Sequence, residues 1–173
     1  MYGNFGFIHE KLEIKILILF ILRRLSEPVN FDVLTELTMC DDGISYFDFT
    51  ECVAELVETG HLRLEDCLYS LTEKGAYNGG ITENSLPFSV RTRAESAVSL
   101  FRTKKSRDAM ISTFHTANPE GGFTVSLSLA DGIGKIMSME MAAMTERQAL
   151  SLERGFRDNA ESVYNAIIEK MFK

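Results

Sequence analysis

Tryptophan is absent from this 173-residue chain, and proline, cysteine and histidine number three each. Cys40, Cys52 and Cys67 are odd in number and show no Cys-x-x-Cys spacing. That argues against a disulfide framework and for reduced thiols in a cytoplasm. His9, His61 and His115 are too scattered for spacing to propose a metal centre, so neither a metal nor a cofactor is expected. A phosphate loop is missing too, because Gly132-Ile133-Gly134-Lys135 lacks the longer glycine spacing, and no Ser, Cys or His stands in a nucleophile motif. Catalysis is therefore not expected. The most apolar stretch, Ile14 to Leu22, falls well short of the roughly 20 residues of a membrane span. Arg23 and Arg24 follow it, the wrong order for a secretory signal.

Positive charge is scarce: 18 basic side chains stand against 25 acidic ones, a net charge of −7. This opposes a general attraction to nucleic acid or to anionic membranes. Residues 1–83 carry six basic and fifteen acidic side chains, net −9, whereas residues 84–173 carry twelve and ten, net +2.

The most informative stretch is Leu56 to Gly75. Val53, Leu56 and Val57 continue a helical stripe that Gly60 stops. The period then changes to two: Leu62 and Leu64 alternate with Arg63 and Glu65, Asp66-Cys67 reverse the chain, and Tyr69 and Leu71 return. Thr72 caps a further helix. Helix, hairpin and helix in this order are the signature of a winged helix-turn-helix. Upstream, Asn30 caps a helix from Phe31 to about Met39, Asp41-Asp42-Gly43 turn the chain, and Ser45 with Asp48 opens a third helix as an approximate capping box. The first helix, Ile14 to Leu22, is too apolar to be exposed, so it is covered either by a second subunit or by the C-terminal domain. Leu17, Phe20 and Ile21 are the candidate dimer contacts.

The third helix occupies the recognition position, yet Asp48, Glu51, Glu55 and Glu58 align four carboxylates along one side, and no Lys or Arg lies between Arg24 and Arg63. Carboxylates repel phosphates and accept only from cytosine in the major groove. Ser45, Tyr46 and Thr50 on its first turn, Arg63 and Lys74 on and after the hairpin, and Arg91 and Arg93 beyond are the candidate DNA contacts. Residues 78–87, within the turn-rich NGGITENSLPFS, read as a linker between domains 1–77 and 88–173. Val90, Ala94, Ala97, Val98 and Phe101 then recur at helical spacing, among the chain's only basic cluster.

Three strands follow near 109–116, 123–129 and 133–141, an antiparallel meander with a bulge at Gly134. Phe123, Val125, Leu127 and Leu129 face one way, leaving Thr124, Ser126 and Ser128 on an open face as a candidate ligand surface. Met137, Met139 and Met141 repeat every second residue and read as core filler rather than a copper site. Thr145 and Gln148 cap the last helix, which points Ala149, Leu152, Phe156, Ala160, Val163, Ile167 and Met171 inward. The fold class is α+β: an N-terminal winged helix-turn-helix followed by an α-β-β-β-α domain.

The chain resembles an uncharacterised winged-helix family of Gram-positive anaerobes whose members are labelled transcriptional regulators. The resemblance is carried by Ile16 to Arg24, Tyr46 to Leu64, the exit Leu71-Thr-Glu-Lys-Gly75, Asn84-Ser-Leu-Pro87, and Phe123 to Lys173 with Thr-Glu-Arg-Gln-Ala at 145–149. It implies a transcriptional regulator and transfers no catalytic residues; with the apolar first helix calling for cover, the chain is read as binding double-stranded DNA as a homodimer. The alternative is an acidic winged-helix module that docks a protein through Asp48, Glu51, Glu55 and Glu58 and never binds DNA.

Overall fold

The computed structural model describes residue 8 and residues 10–172; His9 lies outside them. The described residues form a mixed α+β fold with six α-helices and two three-stranded antiparallel sheets. The chain divides into two compact units, Met1–Phe101 and Arg102–Lys173.

In the first unit α1 (Lys11–Arg24) is followed by a two-residue strand β1 (Val29–Asn30), α2 (Phe31–Thr38), α3 (Tyr46–Glu58), the hairpin β2 (Leu62–Glu65) and β3 (Leu68–Leu71), α4 (Glu73–Thr82) and a 3-10 turn at Glu83–Ser85. The sheet runs in the order β1-β3-β2. Local chemistry accounts for the boundaries. Asn30 accepts from the Val33 amide at 3.0 Å to start α2. Gly60, at φ +70°, ends α3, with its amide and that of His61 turned back to Val57 and Leu56. The hairpin turns on Asp66 and Cys67, both at positive φ, as a two-residue turn requires. Ser45 departs from expectation: its side chain makes no cap bond, so no capping box opens α3.

α1 is the centre of this unit. Eight of its residues are buried, in one cluster with Leu34, Leu37, Phe49, Val53, Leu56, Leu62 and Leu86. Val90, Ala94 and Val98, from the first half of α5 (Phe88–Met110), complete the cover. This all-round burial explains the apolar run, broken only by Lys15, since each such side chain taken from water contributes about 1.5–3 kcal/mol. It also corrects the expected dimer contacts. Leu17, Phe20 and Ile21 are fully buried within one chain and offer nothing to a second. Residues 78–87, read as a linker, have structure of their own. They are helical through Ser85, and Leu86 is buried. The glycine there serves packing, because a Cβ at Gly79 would press on Leu19 and Arg23 of α1. The division between units falls within α5, whose early apolar stripe belongs to the first core.

The second unit carries β4 (Ile111–Ala117), β5 (Phe123–Ala130) and β6 (Lys135–Ala143) in that order, antiparallel, then α6 (Glu146–Met171). Its core joins Ile111, Val125, Leu127, Leu129, Ala149, Phe156 and Ala160, with Met137 and Met139 packed against them. The register shift at Leu129/Ala130, opposite Lys135 to Met137, puts the bulge at Ile136 rather than at Gly134, which stands in the turn before β6. Thr145 accepts from the Gln148 amide at 3.2 Å, capping α6 as expected. The far end of α6 differs: Ile167 and Met171 are exposed rather than inward. α6 is kinked at Asn159, which leaves helical geometry at φ −130°, and its 26 residues, at most about 39 Å, outrun strands of seven to nine residues that span at most about 30 Å, so the turns beyond the kink lack sheet to bury against.

Candidate interaction surface

Phe49, Cys52, Val53 and Leu56 turn into the core and fix the phase of α3. The opposite side exposes Tyr46 (53 %), Phe47 (82 %), Glu51, Ala54 and Glu58. Phe47 precedes Phe49 by two residues, about 200° around the helix, so it cannot share the core stripe. Sequence reasoning passed over it, although its place off that stripe was readable. Its ring meets Tyr46 edge-on at 6.3 Å. Two adjacent exposed aromatics leave a large apolar area in water, as contact surfaces do and ordinary solvated faces do not.

The cations around this surface are already paired, two of them with carboxylates of α3 itself. Lys11 pairs with Glu51 at 2.6 Å, and Lys15 pairs with Glu55. The bond to Lys15 holds Glu55 below the usual carboxylate range, and the bond to Glu51 pushes Lys11 up. Arg23 and Arg24 bind Glu83, Arg24 also binds Glu95, and Arg63 sits 3.7 Å from Glu65. Arg91 donates to Asn84 at 3.0 Å. Lys74 donates to the Thr59 carbonyl at 2.7 Å, closing the end of α3. Arg93 pairs with the fully buried Asp41, which also accepts from the Ile8 and Gly43 amides. All eight Lys and Arg side chains of residues 1–101 therefore have an internal partner, against sixteen acidic residues in the same unit. Arg93 and Lys74 hold the fold together. Ser45 is exposed, and Thr50 donates to the Phe47 carbonyl at 2.8 Å. Exposed Asp66 and Glu58 add no positive potential.

His61 links α3 to α4. Thr59 Oγ1 lies 2.8 Å from Nδ1 and Asn78 Nδ2 lies 2.8 Å from Nε2. An amide nitrogen can only donate, which assigns Nε2 as acceptor and the proton to Nδ1. Burial pushes His61 below its ordinary value, with Lys74 and Lys15 adding repulsion. A histidine depressed in the folded state contributes stability that is present above about pH 6.5 and lost as pH falls through the folded value. The urea midpoint should accordingly drop on acidification from neutrality, and His61→Gln should flatten that drop. An equal decline in both proteins would refute the role given to His61.

In the second unit the open sheet face brings Thr124, Ser126 and Ser128 together with Ser112, Phe114, Thr116, Ser138 and Glu140. Thr124 donates to Asn118 at 2.9 Å, and Phe114 stands 56 % exposed beside Ser126. Among the described residues no helix is long and apolar enough to cross a membrane. No curated protein and no solved structure matches the chain. A family profile for a domain of unknown function, DUF4364, matches residues 14–171. With nearly its whole length covered, the chain belongs to the DUF4364 family, a domain of unknown function.

Proposed function

We propose that residues 11–82 form a winged helix-turn-helix and that this unit acts in a non-catalytic cytoplasmic regulator by docking a basic protein partner through α3. The winged-helix reading is supported by the element order α1-β1-α2-α3-β2-β3 with β1 beside β3; under it α3 is the recognition helix and β2-β3 the wing. The observation that carries the docking reading is the surface of α3: exposed Tyr46 and Phe47 beside Glu51 and Glu58, in a unit whose every cation is internally paired. Aromatic anchors with complementary charge are what a protein interface uses, and fold alone does not fix the partner.

A second reading, a transcriptional regulator that binds duplex DNA as a dimer, is favoured by exposed Ser45 and Tyr46 at the start of α3 and exposed Arg63 on the hairpin. These lie where this fold commonly meets the major groove and the backbone. Charge separates the two. Under the docking reading, Phe47→Asp with Glu58→Lys abolishes capture of the partner held by the wild-type protein and leaves duplex DNA unbound. Under the DNA reading, Glu58→Lys strengthens duplex binding. The open face at Thr124, Ser126 and Ser128 serves as the regulator's ligand surface in either case.

A further inference from the structure

Among the described residues, nothing in α5 beyond Phe101 joins either apolar core. Its last turns are held to α6 by a polar strut instead. Arg107 Nε and Nη2 donate to the two carboxylate oxygens of Glu161 at 2.8 and 2.9 Å, and Nη2 also reaches the Asp158 carbonyl at 3.3 Å. A helix end braced in this way, rather than packed down, leaves an open cleft between itself and the end of the sheet. The cleft holds about 660 Å³, within the range of small-molecule sites, and all its lining residues lie in the second unit. Leu129 of the core and Glu161 of α6 put it on the side of the sheet that α6 covers, away from the hydroxyl face of Thr124, Ser126 and Ser128.

The two walls of the cleft differ in chemistry. Met110, Leu129 and the bulge residue Ile136 line it with apolar surface, and Ile136 is left 41 % exposed. The donors come from α5, where Arg102, Ser106 and Met110 follow at steps of four and share one face, with Arg107 beside Ser106. Arg102 and the Ser106 hydroxyl have no partner among the described residues. Arg107 Nη1 keeps its hydrogens, since Glu161 and Asp158 take only Nε and Nη2. We propose that this cleft binds a monocarboxylate with an apolar body, its head at Arg102, Ser106 and Arg107 Nη1 and its body against Met110, Leu129 and Ile136. Charge sets the head group. Of the ionised side chains in the lining, Arg107 is cancelled by Glu161, which leaves Arg102 against Asp131. Asp131 accepts from the Ile133 and Gly134 amides at 2.9 and 2.8 Å, bonds that hold its carboxyl below the usual range and keep it an anion. One uncommitted guanidinium suits a single carboxylate, and the fixed anion in the same lining opposes the second charge of a phosphate.

Isothermal titration calorimetry on the full chain, with octanoate and phenylacetate as aliphatic and aryl probes, tests this independently of what α3 binds. At least one probe is expected to saturate with a Kd below about 1 mM. Arg102→Ala should weaken that binding by roughly tenfold or more, the neutral primary amide of the same probe should lose a similar factor, and Ile136→Asp should abolish it. Octyl phosphate should bind no tighter than octanoate. Both substituted positions are exposed, and far-UV circular dichroism confirms that each variant folds. Failure of both acids to saturate overturns the proposal, and so does binding that Arg102→Ala or Ile136→Asp leaves unchanged. An amide that binds as well as its acid, or an octyl phosphate that binds more tightly than octanoate, overturns the monocarboxylate.

Discussion

Asp41→Ala is expected to destabilise the first unit by about 3–5 kcal/mol, read as a fall in the urea midpoint. The carboxylate is fully buried and accepts from the Ile8 amide at 3.4 Å, the Gly43 amide at 3.0 Å and the Arg93 guanidinium. Removing it takes the carboxylate away from the Arg93 guanidinium and leaves two backbone donors without that acceptor. Each donor left unmet beside a buried site costs far more than an exposed pair contributes, because it keeps its desolvation penalty. Arg93→Lys should recover only part of the loss, since an ammonium cannot reproduce the guanidinium fork. The exposed pair Lys11–Glu51 supplies the contrast, and Lys11→Ala should shift the midpoint far less. An Asp41→Ala protein as stable as the wild type would contradict the structural role given to the Asp41–Arg93 pair.

Gly75→Ala is the second large effect, and its sign runs against helix propensity. Gly75 lies in the first turn of α4, where Ala is preferred over Gly by up to about 1 kcal/mol. Yet an added Cβ would collide with the His61 backbone carbonyl and touch Leu71. Backbone cannot rotate away as a side chain end can, so the clash wins, with a net loss of about 3 kcal/mol expected. The same corner accounts for Thr72, Lys74 and Gly75 of the Leu71-Thr-Glu-Lys-Gly75 string. Thr72 caps α4 by accepting from the Gly75 amide at 3.1 Å, Lys74 closes α3, and Gly75 permits the close approach. Gly80→Ala is the control. Its Cβ would come no closer than 3.4 Å to the Arg23 guanidinium, so propensity should prevail and stability should rise by about 0.5 kcal/mol. Equal effects at the two positions would contradict this account of the corner.

Much of this was legible in the sequence wherever the signal was local. The stripe Phe49, Val53, Leu56 ended by Gly60, the reversal at Asp66-Cys67, and the caps Asn30, Thr72 and Thr145 each depend on residues a few positions apart. What escaped depended on distance. The Asp41–Arg93 pair joins residues 52 positions apart, and nothing in their neighbourhoods announces it. The glycines of 78–87 read as flexibility because composition cannot distinguish a loose turn from a helix pressed against another. The apolar run of α1 correctly demanded cover on every side, but its own unit supplies that cover where a second subunit was one of the two expectations. Phe47 was hidden in plain view, among four acidic residues that drew attention to charge alone.

The central claim is that α3 presents an aromatic and acidic docking surface in a unit with no cation to spare for phosphate. The most direct test is fluorescence anisotropy of a labelled duplex, taken from the promoter beside the coding region, titrated with folded wild-type protein at about 20 mM salt. The account predicts no saturable rise at that ionic strength. Saturable binding that falls steeply as salt is raised, and that Glu51→Lys or Glu58→Lys strengthens, would contradict it and establish the DNA-binding reading instead.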